Sequence, residues 1–356
     1  MIAEEKININ IKKSQNSRIK EIDFSNLVFG KHLSDHMFVS DWEKGKWSNM
    51  AIVPYGQISF CPSMVSLHYG QMIFEGMKAF KRSDGKICIF RPQKHHDRLN
   101  KSLERMCMPS VPFDLFIQSL QSLVEIDKAW IPSLEGGSLY IRPLIFATDE
   151  KLGVSISNTY KFVVITSPSG KYFSKPSRLK LESHFTRTAE GGPGFAKCAG
   201  NYGGALYPTK IATQEGFDQL LWTDHKEHKY IDEVGMMNVM FVINGKLITP
   251  MLSSAILDGI TRDSILTLAK HLGIQVEERK VSVDELVKGF SSNTLTEAFG
   301  TGTAAVVSPI AEISISGVNY KLPPIIESSI QTQLQNKLIK IIRGDDSDSF
   351  NWNYIF

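Results

Sequence analysis

Cysteine is scarce in this chain of 356 residues: there are four, at Cys61, Cys88, Cys107 and Cys198, and no Cys-x-x-Cys spacing. That excludes a disulfide framework and a zinc ribbon, and it fits reduced thiols in the cytoplasm. Long apolar runs are missing as well. The longest covers residues 239–243, far short of the ~20 residues a membrane-spanning helix needs. Charge of one sign is absent: 40 Lys and Arg against 37 Asp and Glu leave a net +3. So small an excess argues for no nucleic-acid partner and no membrane-surface partner. The opening stretch MIAEEKININIKKSQ has no apolar core of a secretory signal, and Glu4 and Glu5 speak against a transit peptide. There is no P-loop, HExxH or GxSxG, no internal repeat and no low-complexity tract. What is present, 42% hydrophobic and 22% charged residues, describes a globular cytoplasmic protein able to bury one or two sizeable cores.

One stretch divides the chain. Residues 167–177, SPSGKYFSKPS, hold two prolines, a glycine and four serines after an apolar strand-like run at 162–165. This predicts a smaller N-terminal domain over 1–167, a linker over 168–177 and a larger C-terminal domain over 178–356. In the first part, 86–90 and 138–141 read as strands, and 94–106 as a helix with Leu99, Leu103 and Met106 on one side. Phe113, Phe116, Ile117, Leu120, Leu123 and Val124 mark one face of a second helix. In the second part, 239–243, Asn244-Gly245 and 246–249 predict a hairpin. Ile265, Leu268, Ala269 and Leu272 predict a helix that Gly273 stops, and Ile330, Leu334, Leu338, Ile341 and Ile342 a C-terminal helix. Strands and helices mix without regular βαβ alternation, which predicts α+β domains.

The densest anomaly is RTAEGGPGFAKCAGNYGG at 187–204. Its last fourteen residues hold six glycines around a single lysine, Lys197. Glycines let a backbone approach a ligand closely, and lysine is the usual Schiff-base amine; alone, the stretch reads as readily as a surface loop. In YIDEVGMMN, 230–238, Glu233 stands before a hairpin strand, where it can pair with a protonated heterocycle or simply be a solvated acid. In LDGITRDS, 257–264, the amides of Ile260 and Thr261 after Gly259 offer either a phosphate seat or an ordinary helix start. FGTGTAA, 299–305, fits G-x-G-x-x-A, yet β-branched residues and Pro309 follow, so no helix starts and the dinucleotide reading fails. A glycine turn offering amides and Thr hydroxyls to an anion survives. Asp224, His225, Glu227 and His228 read as a charged turn, His95-His96 as surface, and no metal is expected. An amine, a distant carboxylate, a phosphate seat and a basic residue together make the inventory that pyridoxal phosphate requires.

KCAGNYGG, with EVGMMN beginning 36 residues after its lysine, resembles the fold-type IV pyridoxal-phosphate aminotransferases. Within them the chain is most similar to the longer branched-chain amino-acid aminotransferases. LVFGKHLSDHM, LHYGQMIFEGMKAF, FRPQKHHDRLNKSLERMCMP, YIRP, LGV, LDGITRDSI and FGTGTAA follow that family's order over 27–309. The resemblance implies a two-domain α+β fold like that of D-amino-acid aminotransferase, a homodimer that shares active-site residues, and pyridoxal 5′-phosphate as cofactor. Lys197 would supply the Schiff-base amine and move the proton, Glu233 would hold the ring nitrogen protonated, and Tyr202 would lie by the phenolic oxygen. Arg98, in DRL, would grip the phosphate with help from Arg187, the amides of Ile260 and Thr261, and the hydroxyl of Thr303.

For the substrates, the resemblance implies Leu, Ile or Val exchanging an amino group with 2-oxoglutarate to give glutamate. The α-carboxylate would meet the amides of Thr303 and Ala304, with Tyr69 arriving from the neighbouring subunit. Phe74 and Tyr140 would wall the aliphatic pocket, Leu152 and Val154 would close it from the partner, and Arg142 would receive a distal carboxylate. A D-amino-acid aminotransferase or an aminodeoxychorismate lyase is the alternative within the same fold. Departures fall at Ala305 and Ser308, where the animal enzymes carry a Cys-x-x-Cys pair. Met236 and Leu33 stand where Thr and Phe are usual, and both are expected to line the side-chain pocket.

Overall fold

Alternating apolar residues build two mainly antiparallel sheets in the computed structural model, which describes residues 7–134, 136–170 and 175–356. The chain divides into two units. One takes the described residues up to 170 together with Ala196–Ala199 and Ile342–Phe356; the other takes 175–195 and Gly200–Ile341. This departs from a single cut. Of the expected linker, residues 168 and 169 still pair in the strand Tyr160–Ser169, Ser177 already opens the next strand, and 171–174 lie outside the described residues.

In the first unit the strands run Asn10–Ile11, Lys46–Pro54, His36–Glu43, Tyr160–Ser169, Ser138–Ala147, Met77–Lys81, Ile87–Phe90 and Asn353–Ile355 across the sheet. Met72–Phe74 pairs beside them on Ser138–Ala147. The expected helices form as Pro92–Arg105 and Phe113–Ile126. Pro92 starts the former, its fixed φ suiting a first helical position where no N–H partner is needed. Leu99, Leu103, Phe116, Leu120 and Leu123 share one core with Phe38, Ile141 and Phe162 of the sheet. The tail returns here because Asn353–Ile355 pairs antiparallel with Ile87–Phe90.

In the second unit the order is Ile231–Val234, Gln219–Thr223, Ser177–Leu181, Val306–Ile315, Leu295–Gly302, Met237–Ile243, Lys246–Thr249 and Val276–Glu278. Ile231–Val234 also pairs with Met237–Ile243. That extra pairing closes six strands into a ring and leaves those six without an open edge. The predicted hairpin turns at Asn244 and Gly245, with φ of 51° and 73°, the left-handed pair that matches strand twist. The strand Val306–Ile315 replaces any helix after FGTGTAA, as its β-branched residues dictate. Gly273, at φ 76°, ends the helix Ile260–His271, and the last helix is Ile330–Arg343.

Phe241 is fully buried between Ile248 and Ala298 in register. Phe241→Ala should therefore cost the second unit about 3–5 kcal/mol, read as a lower midpoint in urea unfolding.

Candidate active site

Lys197 belongs to the first unit although a cut at the linker assigns it to the second. The reason is backbone pairing. Cys198 bridges Ile73, the Phe74 amide donates to the Lys197 carbonyl at 3.0 Å, and the Ala199 amide donates to Met72 at 3.3 Å. The Ser102 hydroxyl accepts from the Lys197 amide at 2.9 Å, and Cys198 is packed into the core. The chain thus passes from the second unit into the first for four residues and back. Lys197 Nζ lies 4.8 Å from the centre of the Phe74 ring.

Phe74 is one side of an aromatic wall. The Arg142 guanidinium sits 4.6 Å from the Phe74 ring centre and 5.2 Å from that of Tyr140, and its Nη2 donates to the Tyr140 hydroxyl at 2.9 Å. Its Nε is buried with no hydrogen-bond partner. A cation on aromatic faces is shielded yet keeps a donor for an incoming carboxylate. Phe29 packs edge-on against Tyr140 at 4.8 Å. A Cβ at Gly76 would fall 2.0 Å from the Tyr140 hydroxyl, so only glycine leaves that ring its place. Leu33, half-buried, gives its carbonyl to Arg18 Nη2 at 3.2 Å.

Arg98 is 8% exposed and does not face outward from its helix. Glu75, fully buried, accepts from Arg98 Nε at 2.7 Å and Nη2 at 2.9 Å, and from His95 Nδ1 at 2.8 Å. His95 is therefore a buried partner of a carboxylate rather than the surface residue its sequence suggests. Helical spacing turns positions 95 and 98 to one face, and the acid there comes from another strand segment. Neither Glu75 nor Phe29 is singled out by sequence reasoning. An acid between apolar residues in FEGMKAF was the available signal for Glu75.

The second unit holds the other expected carboxylate. Glu233, 3% exposed, accepts at Oε1 from Asn238 Nδ2 at 3.0 Å and from the Leu257 amide at 3.2 Å. Its Oε2 lies 2.6 Å from Arg187 Nη2, which also donates to the Ala255 carbonyl at 2.6 Å. Arg187, expected to help at a phosphate, is in this structure the counter-ion of Glu233. Next to Glu233, Asp232 is pushed up to about 7 by burial and then by the Glu233 charge. Gly259 opens the helix Ile260–His271 with no side-chain cap, and a Cβ there would fall 1.9 Å from Asn238 Oδ1. The helix start has no side-chain cap, and Ile260 and Thr261 are buried there, close in sequence to Leu257, whose amide meets Glu233. Thr303 and Ala304 lie half-buried in the turn between Leu295–Gly302 and Val306–Ile315. Tyr202 is half-buried in the short helix Gly200–Gly203, and Met236 is exposed in the turn after Val234. The residue types fit pyridoxal phosphate: an amine at Lys197, a buried carboxylate at Glu233 and an uncapped helix start at Ile260.

Three expected residues are open to solvent: Tyr69, Leu152 and Val154, the last two 68% and 79% exposed. The Tyr69 hydroxyl donates to the Leu152 carbonyl. Asp149 closes their loop, accepting from Lys151 Nζ at 3.0 Å, the Asn158 amide at 2.9 Å and the Thr159 hydroxyl at 2.8 Å. The Asp224 carboxylate accepts four backbone amides, at 226, 227, 229 and 230, so it shapes a turn.

The class IV amino-transferase family model matches residues 72–313, and the chain belongs to that family. Among its relatives, branched-chain-amino-acid aminotransferase 2 of Bacillus subtilis (strain 168) is 45% identical over 334 residues, 93% of this chain and 92% of that protein. A probable branched-chain-amino-acid aminotransferase of Staphylococcus aureus (strain N315) is 45% identical over 336 residues, 93% of this chain and 94% of that one. Among solved structures, the branched-chain amino acid aminotransferase from Escherichia coli has a TM-score of 0.71 at 27% identity, covering 90% of this chain and 98% of its own. That of Thermobaculum terrenum in its PLP form has a TM-score of 0.73 at 26% identity, covering 89% and 97%.

Burial alone would raise the Asp149 carboxyl, but the Asn158 amide, the Thr159 hydroxyl and Lys151 hold it down at about 2. Its contribution is therefore complete above pH ~4 and lost as the pH falls through about 2. Asp149→Asn should speed hydrogen exchange in residues 150–158 at neutral pH, and the difference from the unaltered protein should vanish near pH 2.

Proposed function

We propose that this protein is a pyridoxal-phosphate-dependent branched-chain amino-acid aminotransferase, moving the amino group of Leu, Ile or Val to 2-oxoglutarate and back. Arg142 carries the reading: it lies on the aromatic wall that would receive an aliphatic side chain, so one pocket suits a greasy substrate and an acidic one. The named relatives at 45% identity over nearly their whole length support the same reaction. The bound cofactor supplies an electron sink for the bond at the substrate Cα.

Lys197, its backbone held by Phe74 and Ser102, would hold the cofactor through Nζ and would be the base for the substrate Cα proton. Glu233, supported by Asn238, Leu257 and Arg187, holds a proton at the ring nitrogen through a charge-assisted bond. Tyr202 attends the phenolic oxygen. Arg98, the amides of Ile260 and Thr261, and Thr303 hold the phosphate. The amides of Thr303 and Ala304 bind the substrate α-carboxylate, and Phe74, Tyr140, Leu33 and Met236 surround the side chain. Tyr69, Leu152 and Val154 serve the neighbouring copy in a homodimer, a role their exposure supports, since free monomers rarely leave such residues wet together. The enzyme works in the cytoplasm on small molecules.

Adding L-leucine to the holoenzyme should remove the cofactor's visible absorbance, and 2-oxoglutarate should restore it. A response to D-alanine in place of L-leucine would keep the fold and replace the function. Lys197→Ala should abolish transfer while still taking up the cofactor noncovalently, checked by coupled assay and by absorbance of the desalted protein. Arg142→Met should raise KM for 2-oxoglutarate about tenfold or more, since one charge-assisted bond is worth about 1.5–3 kcal/mol, and leave KM for leucine within about threefold.

A further inference from the structure

Glu75 has no part in the reaction described above, yet it is the best-satisfied buried acid of the first unit's site. It is 0% exposed and lies between the strands Met72–Phe74 and Met77–Lys81. Two parallel bonds from Arg98 Nε and Nη2, at 2.7 and 2.9 Å, lock the plane of the guanidinium. His95 Nδ1 at 2.8 Å and the Gly76 amide at 3.0 Å lock the carboxylate in turn. Burial would raise this carboxyl, but the Arg98 charge and the hydrogen bonds from His95 and Arg98 hold it far below the usual range. Burial, with the Arg98 and Lys197 charges adding to it, lowers His95 against the pull of Glu75, so His95 is a neutral donor and Arg98 is the cation facing the carboxylate.

The helix Pro92–Arg105 carries His95, Arg98 and Ser102 at i, i+3 and i+7, one face of the helix. Ser102 donates to the Arg98 carbonyl at 3.0 Å and accepts from the Lys197 amide at 2.9 Å. Glu75 itself is held at its amide by Pro143, 2.8 Å away, on the strand that carries Tyr140 and Arg142. One carboxylate therefore ties together the arginine, the helix face that seats the lysine backbone, and the strand of the aromatic wall.

We propose that Glu75 is a positioning residue: it fixes the plane of Arg98 so that the guanidinium meets the phosphate of the cofactor. This rests on the reading of Arg98 as a phosphate ligand. The consequence is selective, because a residue acting through Arg98 governs binding of the phosphate and not of the aldehyde or the ring.

The test compares the affinity of the unaltered protein and of Glu75→Gln for pyridoxal 5′-phosphate and for pyridoxal, which lacks the phosphate. Both are measured by absorbance titration beside a thermal melt without ligand. The preference for the phosphorylated compound should fall about tenfold or more in E75Q, with pyridoxal affinity within about twofold. Equal losses for both compounds would mean a merely structural role, and an unchanged or increased preference would mean that Glu75 does not position Arg98; each overturns the proposal. Should E75Q fail to fold, Glu75→Asp keeps the charge but retracts it by one methylene and carries the same ratio. An unaltered protein that binds neither compound would overturn the cofactor reading as well. A strong phosphate preference retained in both proteins would overturn only the role of Glu75.

Discussion

Four residues, Ala196–Ala199, leave one unit of the chain to pair with a strand of the other, and the position of Lys197 follows from that pairing. A lysine has four rotatable side-chain bonds, so its ammonium is well placed only if its Cα is held. Backbone bonds to Phe74 and Met72, the Ser102 hydroxyl, and Cys198 buried in the core do the holding. The glycines on either side have a matching purpose. At Gly194 a Cβ would come within 2.6 Å of the Ala255 carbonyl oxygen, so any larger residue would push apart the path by which the segment leaves its unit.

Each unit also buries a carboxylate against an arginine: Glu75 with Arg98 in one, Glu233 with Arg187 in the other. Burying such pairs is costly in general, and a hydrophobic replacement is often as stable. Their presence is explained better by chemistry than by stability. A charge that is to meet a ligand is fixed in direction only when its own partners are. Arg142 follows a third solution, a cation shielded by two aromatic rings and the Tyr140 hydroxyl. Such a group can meet a carboxylate and still border an apolar pocket.

Much of this was legible in the residues alone. The hairpin at Asn244-Gly245, the helix ending at Gly273 and the failure of a helix to start after FGTGTAA all follow local rules, because turn chemistry and β-branching act over a few residues. The glycine-ringed Lys197, the acid Glu233 and the start of the helix at Ile260 stand out for the same reason. The surface placement of His95 does not hold, and two segments, Ala196–Ala199 and Ile342–Phe356, cross the expected domain cut. Both depend on partners far along the chain: Glu75 for His95, Ile73 for Cys198.

The sequence by itself determined the family, the chemical inventory and the local elements, since spacing, turn residues and periodicity are properties of neighbours. Only the tertiary structure decided which carboxylate meets which arginine, that Glu75 lies behind Arg98, and that Lys197 is seated away from the unit its neighbours belong to. Ion pairs and strand pairings join residues separated by tens of positions, and no local pattern encodes the distance between them.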